Sequence, residues 1–165
     1  MSYSIIGGAD GPTSIFVAGQ IGSGWFNGYG LIFLILLLIP NIVYAVKYKD
    51  ATNTCTDKWA LVMEQIGRYG SMFFMVFTFG SMTQGWVSVT EFMVYLLGST
   101  LLMVAYWIVW MLYFAEVSMW KSMALAIIPT LLFLFGGITM RNIPAIVLAV
   151  VFGIGHIYVT YKNQE

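Results

Sequence analysis

The sequence predicts an all-α membrane protein, a polytopic helical bundle of about five transmembrane helices. Two observations carry this prediction. Of the 165 residues, 60% are hydrophobic and only 8% are charged, a composition well outside the range of soluble domains. The apolar residues also fall into several runs that are long enough to cross about 30 Å of hydrocarbon.

Composition also restricts the function classes and the partners. The formal net charge is zero, which leaves no basic field for nucleic acid, so the expected partner is the lipid bilayer. The single cysteine, Cys55, excludes an internal disulfide framework. The chain contains no phosphate-binding loop, zinc motif or serine-nucleophile elbow, which disfavours an enzyme acting on its own. Because a bundle of this size encloses little space, we expect a homo-oligomer or a larger membrane complex.

Residues 1–28 form a distinct, glycine-rich N-terminal segment ahead of the membrane domain, which covers 29–165. A helix from Pro12 to Phe26 would be too short to span the bilayer. The segment is therefore expected to be external, interfacial or re-entrant.

Five apolar runs follow in order, and each predicts one spanning helix. The first contains Pro40-Asn41, which predicts a kink whose freed carbonyls Asn41 can reach. Before the last run, Asn142 suits the helix cap and Pro144 the first helical turn. The runs cover about 29–46, 59–80, 92–114, 119–138 and 144–161.

The first half of the second run is unusually polar. Glu64 and Arg68 are four residues apart and so share one helix face. Two placements fit this pattern. Either residues 57–68 form an interfacial helix and the span begins near Tyr69, or the charged pair enters the membrane and faces other helices. Near the cytoplasmic face the two residues would form a structural ion pair in which Arg68 extends to the interface, the interpretation that we favour. Deeper inside the membrane a charge is costly and indicates a functional or assembly role.

Basic residues near the ends of the runs predict the orientation. One side carries Lys47, Lys49, Lys58, Lys121 and Lys162, whereas the other carries only Arg141. We therefore expect a multi-pass protein of the cell membrane with its N-terminus outside and its C-terminus in the cytoplasm. Aromatic residues are expected to form interfacial belts, with Trp25, Tyr29 and Trp86 on the outer side and Tyr48, Trp59, Trp110, Tyr113 and Trp120 on the inner side.

The segment from Ile5 to Phe16, IIGGADGPTSIF, has the composition of a binding site. Asp10 is the only charged residue before Lys47. It is surrounded by glycines that permit unusual backbone angles and by hydroxyl side chains, a combination that suits an oxygen-rich site for a hard cation. The candidate cation-binding residues are Asp10, Gly7, Gly8, Thr13 and Ser14. A plain exposed turn is the alternative, because aspartate, glycine and proline are common in turns.

Over about the first sixteen residues, this motif resembles that of the beta subunit of sodium-translocating carboxylic acid decarboxylases. In that family the segment interrupts a membrane helix, and its aspartate belongs to a sodium and proton site. The resemblance implies that Asp10 binds Na⁺, within a frame formed by Gly7, Gly8, Gly11, Pro12, Thr13 and Ser14. The rest of the chain shows no resemblance to the family. Na⁺ is the only metal ion expected, and no other cofactor is.

His156, the only histidine, follows Gly153 and Gly155 in the last run. A lone histidine is not a metal site, so a hydrogen bond between helices is one interpretation. A proton relay beside Glu64 is the other. If Glu64, Arg68 and His156 met in one cavity, a small membrane enzyme would also be possible.

These observations predict a small membrane protein that binds Na⁺ at Asp10 and acts in ion transport or as an accessory subunit of an ion-coupled complex. The alternative is a structural, sensory or immunity-type protein without a transported substrate. In that case the N-terminal segment mediates packing or oligomerisation.

Overall fold

The computed structural model describes residues 24–48, 55–79 and 83–164, and these residues form five α-helices. They form no strand, only the isolated bridges Phe26–Phe77 and Thr83–Asn142. The all-helical class that the sequence predicts is therefore confirmed. The helices are α1 Gly28–Lys47, α2 Lys58–Val76, α3 Val89–Ala115, α4 Met119–Thr139 and α5 Ile143–Lys162.

Four of the five described helices, α1, α3, α4 and α5, are long and apolar enough to cross a membrane. Helix α2 has 19 residues but is more polar, because it contains Lys58, Glu64, Gln65 and Arg68. It is one continuous helix, so the polar residues are not on a separate helix ahead of it. It ends at Val76, earlier than the expected end near Gly80.

Successive helices run in opposite directions, which gives the bundle two chemically different ends. Asn27, just before α1, donates through Nδ2 to Met75 O near the end of α2, at 3.0 Å. Asn142, just before α5, donates through Nδ2 to Phe74 O at 3.1 Å. We call this the arginine end, because Arg141 lies there. The opposite lysine end carries Lys47, Lys58, Lys121 and Lys162 at or near helix termini.

Helices α2 and α5 pack closely along most of their length because glycines remove the side chains between them. A Cβ on Gly67 would lie 2.3 Å from Phe152 N, and one on Gly155 would lie 2.6 Å from Glu64 N. Helix α4 contacts α5 through Thr130 against Gly153 and contacts α3 through Phe135 against Gly98.

Helix α1 completes the bundle and is held by polar contacts around Pro40. Proline has no N–H to donate to the carbonyl four residues earlier, Leu36 O. The indole Nε1 of Trp107 donates to that carbonyl at 3.2 Å. Asn41 Nδ2 donates to Leu37 O at 2.8 Å and lies 2.7 Å from the hydroxyl of Tyr106. Trp107 therefore takes the carbonyl that Pro40 frees, and Asn41, expected to reach the freed carbonyls, binds the next carbonyl, Leu37 O.

The turn before α5 has the expected chemistry. Asn142 is the N-cap, and its side chain accepts a hydrogen bond from Ala145 N at 3.1 Å. Arg141 has a positive φ of 50°, which lets α4 and α5 join through a very short connection.

The expected aromatic belts are wrong at three positions. Trp86 is 1% exposed and packs against Phe92 and Tyr95, so it belongs to the core at the arginine end. Trp110 and Tyr113 are also buried, in contact with Tyr44 of α1. Aromatic residues at the membrane interface and aromatic residues in the core can both lie near a helix end. The sequence alone does not show which face of the helix carries them. The remaining belt residues, Trp25, Tyr29, Tyr48, Trp59 and Trp120, are exposed.

Candidate functional site

Three ionisable side chains meet between α2 and α5. Arg68 Nη2 and His156 Nδ1 both contact Glu64 Oε1, and the distance from Nδ1 to Oε1 is 2.9 Å. The Glu64 side chain is only 6% exposed. We call Glu64, Arg68 and His156 the charged cluster.

The local sequence explains why these side chains meet. Glu64 and Arg68 are one helical turn apart, so their pairing is set within α2. His156 comes from a different helix, and it reaches Glu64 because Gly155 brings the two backbones together. The cluster therefore depends on the close α2–α5 packing.

An aromatic ring packs against both Arg68 and His156. Phe152 is stacked on the His156 ring at 4.8 Å between centroids, with an angle of 16° between the planes. The Arg68 guanidinium carbon lies 6.0 Å from the centroid of the same phenyl ring. Such contacts favour a cation held away from water.

The cluster borders a central cavity of about 320 Å³ to which every described helix contributes. Its polar residues are Asn41, Arg68, Tyr106 and His156, and most of its wall is apolar. A mostly apolar cavity with a few convergent polar groups is the usual form of a binding site. The other lining residues are Leu37, Leu38, Tyr69, Met72, Leu125, Pro129, Phe133 and Phe152.

A second cleft of about 240 Å³ adjoins the central cavity towards the lysine end. The two share Asn41, Leu125 and His156 as lining residues. We call this second cleft the vestibule. It is more polar than the central cavity and extends to Thr160 and Gln164 near the end of α5. His156 thus lies where the central cavity meets a polar route to the lysine end.

The charges of the cluster balance when the imidazole is neutral, because one carboxylate faces one guanidinium. Protonation of His156 would add one positive charge beside the same carboxylate. Nδ1 is the ring nitrogen of His156 that contacts Glu64.

The sequence predicted two groups of functional residues, and the structure describes only one of them. The structure brings Glu64, Arg68 and His156 together. The proposed cation-binding residues Asp10, Gly7, Gly8, Thr13 and Ser14 lie outside the described residues. Among the described residues, no group of three or more His, Cys, Asp or Glu side chains could hold a metal ion.

Sequence reasoning did not identify the roles of Asn41, Tyr106 and Phe152 as cavity residues. Only the proline beside Asn41 gave a signal, and that signal concerned the backbone.

A second ion pair was also missed. Glu91 and Arg141 contact each other at the arginine end through two bonds of 2.6 and 3.2 Å, with side chains 34% and 40% exposed. This rim pair lies outside the cavity and provides a matched control for the cluster.

Comparison of the chain with protein-family models, curated proteins and solved structures gives no significant match.

Proposed function

We propose that this chain is a five-span membrane protein that takes part in ion transport, alone or within a larger membrane complex, and that the charged cluster is its proton-binding site. The observation that carries the proposal is that buried Glu64 contacts Arg68 and His156, which both line a cavity to which all the described helices contribute.

The fifth span of this proposal is α2. It packs antiparallel to α5 from Gly155 beside Glu64 to Asn142 beside Phe74. Because α5 is long and apolar enough to cross a membrane, a helix that follows it over this length crosses with it. Helix α1 ends at the lysine end and α3 begins at the arginine end. Helix α2 therefore runs from the lysine end to the arginine end.

The proposed orientation places the lysine end in the cytoplasm and the N-terminus outside. It is supported by the lysines at that end, since cytoplasmic loops are enriched in Lys and Arg. Lys121 at this end also caps α3, because its Nζ donates to the carbonyl of the C-cap residue Glu116 at 2.7 Å. The vestibule would then open to the cytoplasm.

The depth of the cluster supports a functional role. Arg68 lies roughly 15 Å along α2 from Lys58, at 1.5 Å per residue. Ionisable residues at such a depth are rare and commonly mark ion pathways or proton relays. Residues that only held two helices together would not require a cavity beside them, whereas residues that exchange protons would.

The proposal predicts that proton movement depends on Glu64. In membrane vesicles from the source organism, which retain any partner subunits, we expect Glu64→Gln to reduce proton flux severalfold under an imposed potential. The amide keeps the shape of the side chain but removes the carboxylate that holds the His156 proton. The flux is measured with a pH-sensitive dye inside the vesicles.

Glu91→Gln is the matched control, because it changes a carboxylate that is also paired with arginine but lies at the rim. We expect it to leave the flux unchanged. Equal flux in wild-type and Glu64→Gln vesicles would reject the cluster as a proton site.

The sodium site at Asp10 is a separate part of the proposal, supported by the motif around it. The described part of the N-terminal segment joins the bundle at the arginine end, where Thr78 Oγ1 donates to Gly24 O and Thr78 N donates to Trp25 O.

Sodium should raise the thermal stability of the wild-type protein in detergent, because a ligand that binds only the folded state stabilises it. We expect Asp10→Asn to abolish this shift, with potassium as the control salt. An equal response to sodium in both proteins would reject a sodium site at Asp10.

A second candidate function is structural or sensory, without a transported substrate. It is favoured by one observation, the bridge that Glu64 makes between α2 and α5 through His156. Under this function Glu64→Gln would lower stability while any ion flux persisted. The three side chains also meet, but Glu64 lines neither the central cavity nor the vestibule, so this geometry does not favour a membrane enzyme.

A further inference from the structure

A second, much smaller cavity lies at the arginine end of the bundle. Its volume is about 10 Å³, close to the roughly 10–15 Å³ that one water molecule requires. Residues from all five described helices or their caps surround it, among them Asn27, Ser71, Tyr95, Gly136 and Asn142.

Two hydroxyl groups in this cavity lack hydrogen-bond partners. Ser71 is 1% exposed and Tyr95 is 0% exposed, and neither Ser71 Oγ nor Tyr95 OH makes a hydrogen bond of normal geometry. The Tyr95 hydroxyl lies near the Asn27 side chain but is not aligned with it. A buried hydroxyl without a partner destabilises the folded state, so a molecule that satisfied both groups would stabilise the fold.

The other polar groups of the cavity are largely occupied. Nδ2 of Asn27 and Nδ2 of Asn142 donate to the carbonyls of Met75 and Phe74. Their Oδ1 atoms accept from Gly30 N and Ala145 N. The lining residues include no carboxylate, so a dehydrated cation would have no compensating charge there. The chemistry fits a neutral molecule with both donor and acceptor capacity.

We infer that this cavity binds a single water molecule, hydrogen-bonded to Ser71 Oγ and Tyr95 OH, and that it forms a second hydrated compartment of the ion path. The second part of this inference rests on the proposed transport function. The first part does not depend on it.

One aromatic residue separates the two compartments. Phe133 lines both the small cavity and the central cavity and is 3% exposed. Its ring is edge-on to Phe152 at 5.7 Å, and Phe152 is stacked on His156. Phe133 is therefore the residue whose removal would join the two cavities most directly.

Radiolytic labelling of the purified protein tests the water site. Hydroxyl radicals formed from bound water oxidise adjacent side chains, and methionine is readily oxidised. Met75 and Met140 line the cavity and are 7% and 3% exposed. Met103 is the control, because it is 5% exposed but lines neither cavity.

We expect Met75 and Met140 to be oxidised severalfold faster than Met103 in the wild-type protein. The double variant Ser71→Ala, Tyr95→Phe should reduce their rates to that of Met103. Wild-type rates no higher than that of Met103 would overturn the water site, whether or not the protein transports ions.

Replacing Phe133 tests the separation of the two cavities. In proteoliposomes, Phe133→Ala should increase the passive proton leak severalfold, and Phe133→Leu provides a smaller cavity in case the alanine variant does not fold. A leak unchanged in a folded variant, with methionine labelling retained, would overturn this role of Phe133 and leave the water site in place.

Discussion

Gly67→Ala should lower the free energy of unfolding by about 2–3 kcal/mol, at the upper end of the range for overpacking. A Cβ at this position would lie 2.3 Å from Phe152 N and 2.5 Å from Phe152 Cα. These are backbone atoms, which cannot rotate away, so α2 and α5 would have to separate. The loss is measured by reversible unfolding in mixed detergent micelles.

Gly28→Ala, at the start of α1, provides the control. The nearest atom to its added Cβ is Phe26 Cε1 at 3.8 Å, an ordinary contact. Since alanine is no worse than glycine in a helix, we expect no loss of stability. Equal losses at the two glycines would contradict the close packing of α2 and α5.

Glu64→Leu should cost about 2–3 kcal/mol, because it leaves Arg68 and His156 facing a cavity without their carboxylate. Breaking a fully buried pair costs about 3–5 kcal/mol. We expect less here because the Arg68 side chain is 32% exposed and can move towards the vestibule. Arg68→Leu and the double variant complete a double-mutant cycle, measured by the same unfolding experiment.

The double variant should recover part of the loss, because no charge is then left without a partner. The corresponding cycle on Glu91 and Arg141 should give a smaller coupling energy, because solvent screens an exposed pair. A coupling energy of the charged cluster no larger than that of the rim pair would show that Glu64 and Arg68 interact through solvent.

The helices could be predicted because their signals are local. Apolar runs, the cap at Asn142 and the polar face of α2 are all encoded within a few turns of sequence. The contact of Glu64 with Arg68 is local in the same sense, since it depends only on helical spacing. These features hold whatever the neighbouring helices do.

The cavity and the contact with His156 could not be predicted with the same certainty, because they depend on which helices pack together. Glu64 and His156 are 92 residues apart in the chain, and they meet only where Gly155 lets α5 approach α2. Gly155, just before His156, indicated a close helix contact, but the sequence did not show which helix makes that contact. The burial of Trp86 and the hydrogen bond from Trp107 to Leu36 O could not be predicted either, because both depend on contacts between helices.

The proposed function requires that Arg68 and His156 face a hydrated cavity inside the membrane, reached from the lysine end. Two adjacent residues of α4 test it in a Cys55→Ala background. Ala126 lines the vestibule although it is 1% exposed, whereas Ile127 is 38% exposed on the outer surface of the bundle. Both lie about 10–12 Å along the helix from Met119, at 1.5 Å per residue.

Each residue is replaced by cysteine and treated with a small, charged, membrane-impermeant thiol reagent from the side of the lysine end. We predict that Ala126→Cys reacts and that Ile127→Cys, surrounded by lipid, does not. Faster reaction at Ile127→Cys than at Ala126→Cys would contradict the proposed function, because it would place water outside the bundle and none within it.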